Sequence, residues 1–260
     1  MRDIAEESLQ RLINIERKID TLVQSSSRAG SRSTEFENPD QWYGSKTWSQ
    51  HGDDLAVLNA FNLIGIERPS YIDIGAHHPF RISNTALLYA RGSRGINVEA
   101  NPNLIEEFYR SRPEDVNLNI GVGVEPGTLT FYMIDKWSGR NTFDRRLAEE
   151  FVRQNPQFSI SETIDIEINT LQQILSKYWK GGFPNFLTLD VEGLDERILR
   201  SYDFLNGPRP DVLCVETDLI GDVSYGERIR EYLTGSGYFV YVKCGSNSIF
   251  VNQSHRAKLY

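Results

Sequence analysis

Apolar positions along the chain follow two regimes. In residues 1–23, Met1, Ala5, Ser8, Leu12, Ile15, Ile19 and Leu22 recur in alternating steps of four and three. That is the a/d seam of a helix about three heptads long. Glu6, Glu7, Arg11, Glu16, Arg17 and Lys18 fill much of the remainder. Such a helix either joins copies of the chain into a homo-oligomer or docks on its own domain, because a seam this short is marginal alone. Residues 24–35, QSSSRAGSRSTE, break the pattern and read as a flexible linker. A folded domain is expected over 36–260.

From residue 55 the period changes repeatedly. Leu55–Ile64 has helical spacing. Short apolar runs at Tyr71–Ile74, Gly95–Glu99, Val116–Ile120, Phe186–Asp190 and Val212–Glu216 read as buried strands. Helical patterns at Thr85–Ala90, Leu104–Ser111, Leu171–Tyr178, Leu194–Tyr202 and Tyr225–Ser236 separate or follow them. Thr128–Met133 and Thr163–Ile168 alternate as strands do. Tyr238–Lys243 and Ser248–Asn252 are spaced as a hairpin. Strands alternating with helices predict an α/β fold, a mainly parallel sheet covered on both faces, closed by an antiparallel C-terminal hairpin.

Composition narrows the classes of function. The 260 residues carry a net charge of −8, which argues against a broad basic surface for nucleic acid. Two cysteines, Cys214 and Cys244, are too few for a disulfide scaffold or a cysteine-built zinc site. No apolar run of about 18 residues and no secretory h-region is found, so the expectation is a soluble, cytoplasmic protein.

Ligands of open parallel sheets bind beyond the carboxyl ends of the strands. Those ends are Asp73-Ile-Gly-Ala-His77, Glu99-Ala-Asn-Pro102, Gly121-Val-Gly123, Asp190-Val-Glu192-Gly193 and Glu216-Thr-Asp218. Unpaired buried carboxylates are costly, so four strand ends carrying them point to one pocket. Gly75 permits a tight turn close to a ligand, and an acid at the end of the second strand can accept both hydroxyls of a ribose. Gly75 is followed by Ala-His-His-Pro, so the three glycines that cradle a pyrophosphate are missing, and no P-loop occurs. An adenosine ligand without phosphates is S-adenosylmethionine.

YIDIGAHHP at 71–79, SNT at 83–85, GINVEANP at 95–102 and LTLDVEGLDERIL at 187–199 resemble the FkbM-type S-adenosylmethionine-dependent methyltransferases. SQHGDD at 49–54 is similar to the segment before the first strand in that family. The resemblance covers roughly residues 48–252. It implies the class I methyltransferase fold, a Rossmann-like sheet whose last strand is antiparallel. It also implies O-methyl transfer to a saccharide, glycan component or natural product, as in polysaccharide biosynthesis. The interval from Asp73 to Glu99 is longer than in many class I methyltransferases, and the extra residues, His78–Asn84, form an expected substrate or cofactor loop.

On this reading Asp73, Gly75 and Ala76 frame the cofactor, and Glu99, Ala100 and Asn101 hold its ribose. The resemblance puts Ser49, Gln50 and Gly52 near the methionine end. Asn84 contacts ligand or, with Thr85, caps the following helix. Gly121 borders the adenine. The acceptor hydroxyl needs a base or a metal. Asp190, Glu192 and His77 are the candidate bases, and Asp190 with Glu216 could hold Mg²⁺, which prefers oxygen ligands. Glu192 could instead be a helix-terminal charge. GRNTFDRR at 139–146 is either an anion-binding stretch or a solvated surface, and Trp42, Tyr43 and Trp48 either stack on a sugar or pin the linker. The competing functions are a methyltransferase for a non-sugar acceptor (natural product, lipid or phosphoramidate) and a non-catalytic cofactor-binding assembly module. A nicotinamide enzyme is disfavoured by the missing glycines.

Overall fold

The chain divides into two units, Met1–Lys46 and Thr47–Tyr260. The computed structural model describes residues 47–219 and 221–259. The helix expected over 1–23, the linker over 24–35, and Trp42 and Tyr43 lie outside the described residues.

The elements run α1 (Asp53–Ile64), β1 (Tyr71–Ile74), α2 (Ala86–Ala90), β2 (Gly95–Val98), α3 (Pro102–Ser111), β3 (Val116–Leu118), β4 (Gly121–Gly123), β5 (Gly127–Met133), α4 (Arg145–Gln154), β6 (Glu162–Thr170), α5 (Leu171–Tyr178), β7 (Phe186–Leu189), α6 (Asp195–Arg200), β8 (Val212–Glu216), α7 (Tyr225–Gly235), β9 (Tyr238–Cys244), β10 (Asn247–Asn252) and α8 (Arg256–Leu259). The main sheet has seven strands in the order β3-β2-β1-β7-β8-β10-β9. The first five pair in parallel, and β10 is antiparallel to both β8 and β9. Every residue of β1, β2, β7 and β8 is buried, which is why these strands read as continuous apolar runs rather than alternating ones. One face packs Ile72, Leu187 and Leu213 against Ile198, Ile229 and Leu233, and the other packs Tyr71, Phe186 and Cys214 with Val57 and Phe61 of α1.

The sequence marks where several helices begin. The Asn101 side chain accepts from the Asn103 N–H at the start of α3, Asp144 accepts from Arg146 and Leu147 ahead of α4, and Thr170 with Gln173 forms a capping box on α5. Three features differ from the sequence expectation. The run Val116–Ile120 ends as a strand at Leu118, and Gly121–Gly123 is a separate strand. The two alternating segments do not join the main sheet. They form a second, three-stranded sheet, β4-β6-β5, which stands over the cleft end of the domain. Between β5 and β6 lies α4 (RRLAEEFVRQ), a helix not expected from the sequence; it gathers Leu147, Ala148, Phe151 and Val152 on one face but buries only Ala148. Among the described residues no helix is long and apolar enough to cross a membrane.

Candidate active site

Chain order places β1 next to β7, and from β1 the strands run outward in opposite directions, as β2-β3 and as β7-β8. That reversal opens a crevice at the carboxyl ends of β1 and β7, the usual ligand position in such sheets. A cleft of about 270 Å³ lies there. Its lining brings together Asp73, Gly75, Ala76, His77, Asn84, Glu99, Ala100, Gly121, Asp190 and Glu192, as the sequence leads one to expect, and Gln50 from the segment before α1.

The turn after β1 is tied down by backbone bonds. Gly75 and Ala76 N–H both donate to the Val98 carbonyl, and Asp190 N–H donates to the Ile74 carbonyl. Gly75 has φ +78. Asp73 is buried and accepts from the Thr85 hydroxyl at 2.6 Å. Burial pushes its carboxyl up to about 6, against the lowering effect of that hydrogen bond. Thr85 therefore does not cap α2. The Ser83 hydroxyl does so, accepting from the Ala86 and Thr85 N–H groups. Beneath them Arg112 is fully buried. Its guanidinium meets Asp115 at 3.0 Å, Tyr71 Oη at 2.7 Å and Thr85 Oγ1 at 3.0 Å. Sequence reasoning missed this network. YRSRPEDV reads as a polar helix end, and nothing in it marks one of its two arginines for the interior.

Glu99 is buried, and its two oxygens accept from His77 N–H at 2.8 Å and Asn101 N–H at 2.7 Å. Burial raises its carboxyl to about 7 despite these two donors. Each oxygen keeps a second lone pair for a ligand hydroxyl. Asn101 does not line the cleft. Its carbonyl oxygen caps α3 and its amide donates to the Lys136 carbonyl, so it fixes the loop beside the ribose position.

Ser49 and Gly52 are also away from the lining. Ser49 donates to Asp54 at 2.8 Å, and Gly52, at φ +82, starts α1. They hold the segment that presents Gln50. The loop at 78–84 is bound to the same segment through Ser83 N–H to the Trp48 carbonyl, and its Ile82 and Asn84 face the cleft. The Asn84 amide donates to Thr188 Oγ1 at 3.0 Å. Cys214 is a buried core residue, and Cys244 is a half-buried free thiol.

On the opposite side the small sheet contributes Phe131 and Phe143, whose ring centroids are 4.7 Å apart, together with Gly121 and Val122. A Cβ on Gly121 would stand 2.7 Å from the Phe143 ring. This wall is apolar and aromatic, its two rings inclined at 50°, and the two phenylalanines were not read from the sequence.

The carboxyls at the floor repel one another. Asp190 is raised well above the usual carboxylate range, first by burial and then by Glu192 and Asp195. Its carboxyl has no protein hydrogen-bond partner among the described residues. Glu192 is raised by burial, offset by Arg140 at 3.2 Å. Arg140 is the one arginine of the stretch at 139–146 that faces the cleft. Arg145 and Arg146 instead pair with Glu149 and Asp144 in solvent. Asp195 accepts from Val191 and Gly193 N–H and from Tyr225 Oη, so it shapes the turn rather than the cleft. The His77 Nε2 lies 3.1 Å from the Trp137 carbonyl, to which it donates, and Nδ1 is buried without a partner. Glu216 lies at the end of β8, 6% exposed, and faces a smaller neighbouring cavity rather than the cleft. Among the described residues no group of three or more His, Cys, Asp or Glu side chains is arranged to hold a metal ion.

Among the described residues three non-glycine residues have positive φ: His77 (54), Ile82 (52) and Glu192 (52). All three line the cleft. Backbone strain concentrated at one place is characteristic of ligand sites.

Residues 73–240 match the family described as the methyltransferase FkbM domain. The chain belongs to the FkbM methyltransferase family. Family membership implies S-adenosylmethionine as methyl donor. The cleft fits that molecule: a glycine turn with no room for a side chain, a buried carboxylate with free lone pairs and an apolar aromatic wall lie around one volume. No curated protein matches the chain. Among solved structures it is similar to an FkbM methyltransferase from Methylobacillus flagellatus KT, at 11% identity and TM-score 0.43, covering 71% of this chain and 44% of that one. It is also similar to a putative RNA methyltransferase from Pyrococcus horikoshii, at 11% identity and TM-score 0.39, covering 84% and 91%. The chain thus spans less than half the length of the FkbM structure it matches.

Proposed function

We propose that this FkbM domain is an S-adenosylmethionine-dependent O-methyltransferase acting on a hydroxyl of a saccharide or glycan component, and that the reaction needs no metal. The observation that carries the reading is the cleft itself, which brings cofactor-type residues (Asp73, Gly75, Glu99) together with an unpaired and a singly paired carboxyl, Asp190 and Glu192.

When bound, the cofactor supplies an electrophilic methyl carbon on a positively charged sulfonium. The Glu99 carboxylate would take the ribose hydroxyls, the Gly75 turn would admit the backbone close to the ligand, and Gln50 and Asn84 would face its amino-acid end. A hydroxyl is a weak nucleophile until it loses its proton. Asp190 is the group we assign to take it. It lies in the cleft without a competing donor, and its raised proton affinity makes it a stronger base than a solvated carboxylate. Glu192 is committed to Arg140 and would orient the acceptor. His77 lines the same cleft, with its Nε2 held by the Trp137 carbonyl. Arg140 offsets part of the repulsion among Asp190, Glu192 and Glu216. The helix read over residues 1–23 would assemble copies of the chain. Loss of residues 1–24 should then lower the mass found by light scattering.

The test is isotope transfer from methyl-labelled S-adenosylmethionine to a panel of nucleotide sugars and glycan fragments, with and without EDTA. Label in a sugar methyl ether, undiminished by EDTA, is the expected outcome. Label only in a non-sugar acceptor overturns the substrate assignment, and no label in any acceptor despite tight cofactor binding points to an assembly module. Activity abolished by EDTA and restored by Mg²⁺ overturns the metal-free route.

A further inference from the structure

Beside the cleft is a second, much smaller cavity of about 30 Å³, whose lining includes Glu216, Glu192, Asp218, Arg140, Leu147 and Phe151. Glu192 and Arg140 line both cavities, so their ion pair forms the partition between them. Glu216 is 6% exposed, and its Oε2 is buried with no hydrogen-bond partner. Buried polar atoms are rarely left in that state, because the lost hydrogen bond costs about 1–3 kcal/mol. The side chain is held at the end of β8, next to β7, whose end carries Asp190. Nothing in the assigned cofactor site uses it.

From this orphaned oxygen, in a cavity opening beside the reacting end of the cleft, we infer that Glu216 anchors the acceptor by a second hydroxyl, not the one methylated. The inference rests on the methyltransferase reading above and makes that reading more specific. Size limits the occupant. About 30 Å³ admits a hydroxyl with its carbon, or one water, and not a ring. Charge limits it as well. Glu192, Glu216 and Asp218 together disfavour a phosphate or carboxylate, and Arg140 and Lys243 already balance Glu192 and Asp218, which leaves Glu216 to the occupant. A hydroxyl both donates and accepts, so it pairs with Glu216 in either protonation state. Leu147 and Phe151 would cover the adjoining carbon. The acceptor is therefore a polyol-like molecule with a neutral hydroxyl arm reaching past the Arg140–Glu192 pair, rather than one with a lone phenol or an anionic arm.

Two measurements test this. The first needs no turnover. Crystals of the full chain with S-adenosylhomocysteine are soaked in ethylene glycol or, separately, methylammonium. An ethylene glycol oxygen within hydrogen-bond distance of Glu216 Oε2, with no methylammonium there, is the expected result. A buried water only, binding at crystal concentration only (density that no lower ethylene glycol concentration reproduces), or methylammonium in the cavity would each overturn the proposal. The second uses whichever acceptor the labelled screen finds. E216L should raise its KM about tenfold with kcat within a few-fold of wild type, while E216Q, which keeps both hydrogen-bonding functions, stays within about threefold. Cofactor affinity should be unchanged in both variants. Unchanged KM in E216L, or loss of kcat alone in both variants, would count against an anchoring role. If the screen finds only a non-sugar acceptor, the saccharide reading fails, while the soak still decides the hydroxyl site.

Discussion

The backbone carbonyl of Asp190 occupies the place where a side chain on Gly75 would begin: a Cβ there would lie 1.8 Å from that oxygen. The turn that admits the cofactor and the strand end that carries the proposed base are thus one packed unit. Gly75→Ala must either separate β1 from β7 or expel the Asp190 turn, and a left-handed φ at alanine adds strain. Cofactor binding should be lost, with a lower melting temperature. Calorimetry and thermal unfolding on G75A check this, and wild-type values in both would refute the packing argument.

Asp190→Asn keeps size and removes the base. We expect kcat to fall by about 10²–10⁴ while cofactor affinity changes little, because Glu99 and the Gly75 turn, and not the Asp190 carboxyl, are assigned to the cofactor. In wild type the rate should rise with pH as this raised carboxyl ionises, and the variant should lose that limb. If D190N turns over at the wild-type rate, His77 or Glu192 carries the proton instead, and H77A and E192Q identify which.

Glu99 and Asp73 make cofactor binding and stability depend on pH in opposite senses. Their folded values, about 7 and about 6, lie above ordinary carboxyl values, so the folded, ligand-free protein holds protons that the unfolded chain releases. That contribution to stability is complete below the unfolded values and is lost as pH rises through about 6 to 7. Ribose hydroxyls donate to the ionised form, so binding should tighten over the same range and release protons. Calorimetry in two buffers of different ionisation enthalpy reads the proton count. E99Q should abolish the Glu99 share and weaken binding at least about tenfold, since its amide would face the N–H of either His77 or Asn101.

Arg112 and Asp115 form a fully buried ion pair that also serves Tyr71 and Thr85. Removing one partner strands the other charge in the interior. R112M should cost about 3–5 kcal/mol in denaturant unfolding, and the double variant R112M/D115L less than the sum of the singles. Because Thr85 leads on to Asp73, R112M should also weaken cofactor binding, although Arg112 is outside the cleft lining.

Ile82 is half-exposed and held at φ 52. Ile82→Gly relieves strain of about 1–3 kcal/mol and gives up little burial, so thermal unfolding should occur a few degrees higher. Because Ile82 lines the cleft, KM for the acceptor or cofactor should rise in the same variant.

Much of this was legible because the central strands β1, β2, β7 and β8 are short, mostly apolar, wholly buried, and carry a carboxylate at or near their ends. Asp73, Gly75, Glu99 and Asp190 follow from that punctuation alone. Asn101, Ser49 and Gly52 were placed near the ligand by their neighbours in sequence, but a cap, a carboxylate partner and a left-handed turn claim them. The second sheet escaped notice because alternation says that a strand is half-buried and not which sheet it joins. Arg112 and the Phe131–Phe143 wall depend on contacts between segments far apart in the chain, for which a single sequence has no local sign.

The pairing of β1 with β7 also governs how the protein is made. Ser70 and Asn185, which hydrogen-bond at the base of these strands, are 115 residues apart. The first half of the cofactor turn leaves the ribosome long before its partner exists, and closing so large a loop is a late, slow event. A nascent or truncated chain ending before Asp190 would carry the family's most recognisable motif and have no site at all. Cofactor binding therefore reports completed folding of the whole domain, and a tightly bound ligand would act on this chain as a folding chaperone during refolding.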